Sequence, residues 1–192
     1  MQNPLIAYLS LAESFSDEEQ ELITEAFQPR SYKEGETLFQ AGTIANELFF
    51  ICQGVIKITT IKPNGDEVTQ FFLKENQFST ILNSFTNRIP AEENIVAACD
   101  LSVMATSQAR LTALYGDVPQ LKAVIDRFTQ QGLMEKIRVR NAYHGEDSTA
   151  RYQLFIMRQP EIALRVPLKD IASYLDITPQ SLSRIRKNIV KG

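Results

Sequence analysis

The sequence is poor in the residues from which most reactive sites are built. It holds one histidine, His144, and two cysteines, Cys52 and Cys99, among 192 residues. The cysteines lack CxxC spacing and lie in apolar, strand-like runs, so they read as buried free thiols, and iron–sulfur or structural zinc sites find no ligand set. His144 stands alone in a hinge-like His144-Gly145-Glu146 stretch and is a poor haem ligand. There is no phosphate loop, paired nucleophile or metal-spaced cluster, so no catalytic residue, metal ligand or cofactor is expected and the chain does not read as an enzyme. No apolar run approaches the roughly 18 residues of a membrane span. The N-terminal MQNPLIAYLSLAESF lacks the basic leader of a signal peptide, so a cytoplasmic protein with no membrane partner is expected.

What the chain does contain is ordinary in amount and uneven in placement. Hydrophobic residues at 44% against 22% charged ones fit a soluble globular protein with one large domain, or a medium one plus a small one. The formal charge of −3 conceals an asymmetry. Residues 165–192 carry Arg165, Lys169, Arg184, Arg186, Lys187 and Lys191 against Asp170 and Asp176, a local +4, which leaves −7 on the rest. A basic end on an acidic body suits a protein that meets a polyanion at one end.

Along the body, Leu22, Ile23, Ala26 and Phe27 predict a short helix over 16–27, capped by Ser14 or Ser16. From about Arg30 the period becomes strand-like. ELFFICQGVIKITTI is rich in aromatic and β-branched residues, Asn64-Gly65 is a hairpin turn before VTQFFL, and NIVAAC and LSVMAT give two more strands after an irregular stretch. Such a series predicts a small antiparallel barrel or sandwich. Helical signals resume at Ser107, and a helix from about Asp117 to Tyr143 would be roughly 40 Å long. It is too long for the small body to cover, so its apolar stripe calls for a second subunit. After the hinge, Asp147 is placed to cap a further helix carrying Tyr152, Phe155 and Ile156.

The last 28 residues are the most specific. Leu168, Ile171, Ala172 and Leu175 fall on one face of a helix, and Leu182, Ile185 and Ile189 on one face of a second, with Gln180, Arg184 and Lys187 roughly opposite. Thr178 caps the second helix, Pro179 takes its first position, and Ile177 with Leu182 is spaced as a hydrophobic staple, leaving Asp176 and Ile177 to make the turn. Two helices so joined, with Gln and Arg outward, match a helix-turn-helix reader of the major groove, its recognition helix at about 178–189.

Order and spacing of these pieces resemble the Crp/Fnr, or catabolite-activator, family of bacterial transcription regulators. The resemblance rests on Glu34-Gly35-Glu36, Leu38-Phe39, Gly42, Leu48-Phe49-Phe50-Ile51 with Gly54, Asn64-Gly65, and Ile171-Ala172-Ser173-Tyr174-Leu175 continuing to Leu182-Ser183-Arg184-Ile185. It implies an α+β chain: a cyclic-nucleotide-binding-like β-barrel of double-stranded β-helix or jelly-roll type over 1–116, a long dimerisation helix and hinge over 117–146, and a winged-helix-like helix-turn-helix domain over 147–192. With seven residues after Ile185, only a minimal wing is expected. Recognition positions fall at Pro179, Gln180 and Arg184; Arg is the commonest bidentate partner of guanine and Gln pairs with adenine. Thr178, Ser181, Ser183 and Lys187 are suited to phosphates, and Arg186 to a rim or structural role. Double-stranded DNA with a palindromic operator, a second copy of the chain and RNA polymerase are the implied partners.

The resemblance weakens at the sensory site. Where cyclic-nucleotide-binding relatives carry Gly-Glu for the ribose and Arg-Ser/Thr-Ala for the phosphate, this chain has Ser79-Thr80 and Ile89-Pro90-Ala91, with Arg88 displaced by two positions. Cyclic AMP is therefore not the expected ligand. Ser79, Thr80, Asn83 and Arg88 are the candidate pocket for an unknown small effector. A competing reading is a ligand-binding regulatory module whose helical tail contacts another protein instead of DNA.

Overall fold

The computed structural model describes residues 3–191. Helix α1 (Pro4–Leu9), in a segment given no helix from sequence, is capped by Asn3. Helix α2 (Asp17–Ala26) opens with a reciprocal capping box between Ser16 and Glu19, so Ser16 and not Ser14 is the cap. Eight strands come next among the described residues: β1 (Gln28–Tyr32), β2 (Thr37–Phe39), β3 (Glu47–Gln53), β4 (Ile56–Ile61), β5 (Glu67–Leu73), β6 (Phe78–Ser79), β7 (Glu93–Ala97) and β8 (Leu101–Ser107). Asn64-Gly65 makes the expected β4–β5 turn, Gly65 at φ +87°. A short helix, α3 (Leu82–Asn87), occupies the stretch that sequence leaves irregular.

The strands form two four-stranded sheets, β1-β8-β3-β6 and β2-β7-β4-β5, facing one another as a sandwich. This corrects the expected barrel. Edge strands of three and two residues, β2 and β6, offer too few backbone pairs to bridge one sheet to the other. The interior is filled by apolar side chains, among them Phe49, Ile51, Ile56, Ile95 and Val103.

Ser107 caps α4 (Gln108–Asp117) as its Oγ accepts from the Arg110 N–H at 3.2 Å. Val118, at φ −128° and followed by proline, breaks the helix, and α5 (Pro119–Ala142) begins anew. Its 24 residues span about 36 Å. Gly145, at φ +80°, lies in the turn between α5 and the next helix. Asp147 caps α6 (Ser148–Arg158) through the N–H groups of Thr149 and Ala150, followed by α7 (Pro160–Arg165), α8 (Leu168–Tyr174) and α9 (Pro179–Lys191); α7 is not evident from sequence.

The helical end is built onto the sandwich. One apolar cluster combines Val55, Phe72 and Ala98 of the sandwich, Val139 and Tyr143 from the end of α5 and its cap, and Phe155, Ile171, Leu175 and Leu182 of the helical end. Polar contacts fix its register. Lys57 of β4, only 6% exposed, holds Glu67 Oε1 and Asp170 Oδ1 of α8 each at 2.9 Å, and Asp170 is 6% exposed as well. Burial disfavours the ammonium, but the bonds to both carboxylates keep its pKa above the usual lysine value. The Thr69 N–H donates to Ser173 Oγ at 2.9 Å. Arg165 grips Glu75 with both guanidinium NH groups, at 2.5 and 3.0 Å, while the Gly54 N–H donates to the same carboxylate at 2.7 Å. Gly54 stands at φ +99°, where a Cβ would lie 2.4 Å from the Asp100 carbonyl oxygen, so only glycine admits this turn.

Asp170→Ala leaves a buried ammonium with one partner, and unfolding in urea is expected to show a loss on the order of 2–4 kcal/mol, most of it recovered in the paired Lys57→Met/Asp170→Leu protein. Burial alone would raise the Glu75 carboxyl, but Arg165 and the Gly54 N–H outweigh it and hold it at about 2. The stability this lowering contributes is complete above the ordinary carboxyl range and disappears as pH falls from about 4.5 toward 2. Tyrosine near-ultraviolet circular dichroism should track that loss, and Glu75→Gln should flatten it.

Candidate nucleic-acid interface

Helix α9 owes its position to the turn before it. After α8, Asp176 takes the left-handed conformation at φ +53°. Its N–H donates to the Ser173 carbonyl at 3.2 Å, and the Ile177 N–H reaches the Ala172 carbonyl at 3.0 Å. These two bonds form a Schellman motif with aspartate in the place glycine usually takes. Arg151 of α6 donates to the Leu175 carbonyl at 2.6 Å, tying the turn to a third helix. The chain then enters α9 through Thr178, whose Oγ1 accepts from the Ser181 N–H at 3.1 Å and pairs with Ser181 Oγ at 3.0 Å. The Thr178 hydroxyl therefore already has two local bonds.

Leu182 is fully buried and Ile185 nearly so, which sets the rotation of α9. Pro179, Gln180, Ser183, Arg184 and Lys187 are exposed, while Ser181 is half-buried beside the cap. Gln180, Arg184 and Lys187, at spacings of four and three, share one side of the helix. Arg186 is exposed too, but it projects roughly 130° away around the helix, near the edge of the buried face. An exposed face of this kind presents one amide, one guanidinium and one ammonium to a partner, a set matched to base edges and phosphates.

The four candidate effector residues do not converge. Ser79 is buried in β6, its Oγ without a hydrogen-bond partner. Thr80 Oγ1 donates to the Glu47 carbonyl at 2.9 Å and lines a groove beneath α5 that the other three do not line. Asn83 is exposed and accepts from Asn87 at 2.7 Å. Arg88 ends α3 at φ +59° and gives its guanidinium to the Ala45 carbonyl and Asn46 Oδ1. The cause is α3: Ser84 is anchored between the Ala45 N–H and the Ile89 carbonyl, which turns Asn83 and Arg88 to the surface. Cys52 and Cys99 are half-buried, less enclosed than expected, and burial raises both thiols above their ordinary pKa. Among the described residues no cluster of His, Cys, Asp and Glu could hold a metal, and no helix is long and apolar enough to cross a membrane.

Residues 29–117 match the cyclic nucleotide-binding domain family. No curated protein matches the chain significantly by sequence. Solved structures with the same fold include the c-di-GMP-responsive global regulator CLP of Xanthomonas campestris, 16% identical over 92% of each chain with a TM-score of 0.69. FixK2 of Bradyrhizobium japonicum is 16% identical with a TM-score of 0.71, covering 86% of this chain and 85% of its own. The Thermus thermophilus catabolite activator protein is 18% identical with a TM-score of 0.55, covering 98% and 87%. At these identities the likeness establishes the α+β fold.

Because aspartate tolerates the left-handed region and β-branched residues do not, Asp176→Ile should cost about 1–2 kcal/mol while Asp176→Gly is neutral or stabilising, as read by urea unfolding. Thr178→Ala should cost about 1 kcal/mol through the lost cap.

Proposed function

We propose that the chain is a homodimeric, sequence-specific DNA-binding transcription regulator of the Crp/Fnr type. Residues 1–116 form its sensor domain, 117–146 the dimerisation helix and hinge, and 147–192 the DNA reader. The observation that carries this reading is the two-sided character of α9, with Leu182 and Ile185 buried behind an open row of Gln180, Arg184 and Lys187. It stands at the end of a fold shared with solved regulators of gene expression. Arg184 reads guanine and Gln180 adenine, while Ser183 and Lys187 hold phosphates. Thr178 and Ser181 order the helix start, and Pro179 contributes a rigid entry and a contact surface.

Support for the dimer comes from α5. Leu133, Met134 and Ile137 are 44%, 65% and 44% exposed in the single chain, with Ile137 one helical turn beyond the other two. A second copy of α5 is the natural cover for this stripe, and it would carry two α9 helices to half-sites about 34 Å apart. Cyclic AMP is an unsuited ligand: apolar side chains fill the sandwich, and neither Ser79-Thr80 nor Ile89-Pro90-Ala91 supplies a ribose acceptor or a phosphate cation.

Selection of duplexes from a random pool should enrich an inverted repeat with centres one helical turn apart, and Arg184→Ala should relax one base position at a cost of about 1–3 kcal/mol. Lys187→Ala should weaken all duplexes alike and lower the salt slope by about one. Absence of any duplex preference, with the dimer intact, would favour a tail that contacts protein. Leu133→Glu/Ile137→Glu should give a monomer by sedimentation, and a dimer that survives this change would place the interface elsewhere.

A further inference from the structure

Arg151 stands one turn into α6, and Tyr152 and Phe155, both buried, fix the rotation of that helix. Its side chain crosses to the far end of α8, where Nη1 donates to the Leu175 carbonyl at 2.6 Å. That carbonyl lies at the C-cap of α8, immediately before the left-handed Asp176. A helix leaves its last carbonyls without backbone donors, and here the residue four further on is Pro179, which has no N–H to offer. Arg151 therefore supplies from another helix what the chain after Leu175 cannot.

The bond is charge-assisted, since a guanidinium stays ionised, and a cation at the C-terminal end of a helix is favourably placed. The Arg151 Nε–H is enclosed and without a hydrogen-bond partner, so among the described residues the Leu175 carbonyl is the one acceptor that holds the side chain. What it holds is the corner of the reader. Leu175 is buried, Asp176 and Ile177 make the turn, and Thr178 and Pro179 start α9, so a shift of the Leu175 carbonyl carries directly to Gln180. Phe155 of α6 and Leu182 and Ile185 of α9 share one apolar cluster, but such contacts permit a small roll or slide that a directed hydrogen bond does not.

We propose that Arg151 is a positioning residue for DNA reading: it touches no DNA, and through the Leu175 carbonyl it holds α9 so that Gln180 and Arg184 meet base edges together. The role rests on the reading of α9 as the DNA reader. Bidentate base contacts demand close alignment, and hydrogen bonds weaken steeply as alignment is lost. A lysine on a phosphate acts as a point charge and tolerates a small displacement. Loosening the corner therefore harms discrimination between bases more than affinity for duplexes in general. Arg151 is itself half-buried, its Nε enclosed, which suits a hold on the backbone of the reader better than a phosphate contact.

The test compares full-length wild type with Arg151→Met, which keeps the apolar stem and removes the donors, and with Arg151→Lys, which keeps one charged donor. The first readout needs no DNA: hydrogen exchange of the Asp176 and Ile177 amides, referred to amides of β8. Arg151→Met should speed the turn amides roughly tenfold relative to β8, as loss of a charge-assisted bond implies, and Arg151→Lys should recover part of the protection. The second readout is binding to the selected operator and to its single-base variants at the positions read by Gln180 and Arg184. Arg151→Met should lower discrimination roughly tenfold at both positions at once, where Arg184→Ala relaxes one, and should leave the salt slope as in wild type. Unchanged exchange in the turn would overturn the proposal. So would a uniform loss across all duplexes, or a salt slope lowered by about one as for a phosphate ligand. Base preference shown by wild type and kept undiminished by Arg151→Met overturns the role alone; no preference in any of the three proteins overturns the reading of α9 on which the role rests.

Discussion

A buried ammonium from one part of the chain needs a buried carboxylate from another, and in this protein that need joins the two ends of the molecule. Lys57 and Asp170 are nearly inaccessible to water and have little to gain from each other compared with full hydration, yet either one alone would be untenable. Apolar contacts between α8 and β5 would tolerate a slide of a residue or so. Hydrogen bonds of 2.9 Å to a fixed ammonium do not, and the Thr69–Ser173 bond repeats the constraint a turn away. The chain beyond α8 inherits this placement: the Schellman turn fixes α9 on α8, and the shared apolar cluster fixes its rotation. The direction in which Gln180 and Arg184 face is thereby set by a lysine that is more than a hundred residues away in sequence.

The sandwich contributes rigidity to this arrangement. Its interior is occupied by Phe49, Ile51, Ile56 and their neighbours, and close-packed interiors have little room to deform. Space is found instead outside the sheets, beneath α5 and beside the helical end. The places that could respond to a bound molecule are therefore the seams between units.

Much of the local structure is legible from residue chemistry. Ser16 with Glu19, Ser107, Asp147 and Thr178 announce helix starts because each satisfies N–H groups that the helix leaves unpaired. Asn64-Gly65 announces a hairpin, and the amphipathic spacing of Leu182 and Ile185 gives the buried face of α9. The features that local chemistry leaves hidden depend on distant neighbours. Lys57 in Ile-Lys-Ile-Thr reads as an outward-facing strand position, and only a carboxylate 113 residues further on makes it a core residue. Whether two sheets close into a barrel depends on edge strands of two and three residues, below the length at which a pattern shows. The turning of Asn83 and Arg88 to the surface comes from a six-residue helix hung on Ser84.

The same long reach of the Lys57–Asp170 contact imposes an order in time. β4 and β5, which together bring Lys57, Glu67 and Thr69 into place, are complete by Leu73, and the last sandwich strand by Ser107. Asp170 is synthesised more than sixty residues later, so at ordinary translation rates the acceptor surface has seconds in which to assemble before the helix that needs it leaves the ribosome. The helical end then docks onto a finished template, and the large loop-closure cost of a contact spanning more than a hundred residues falls on a chain already shortened by folding.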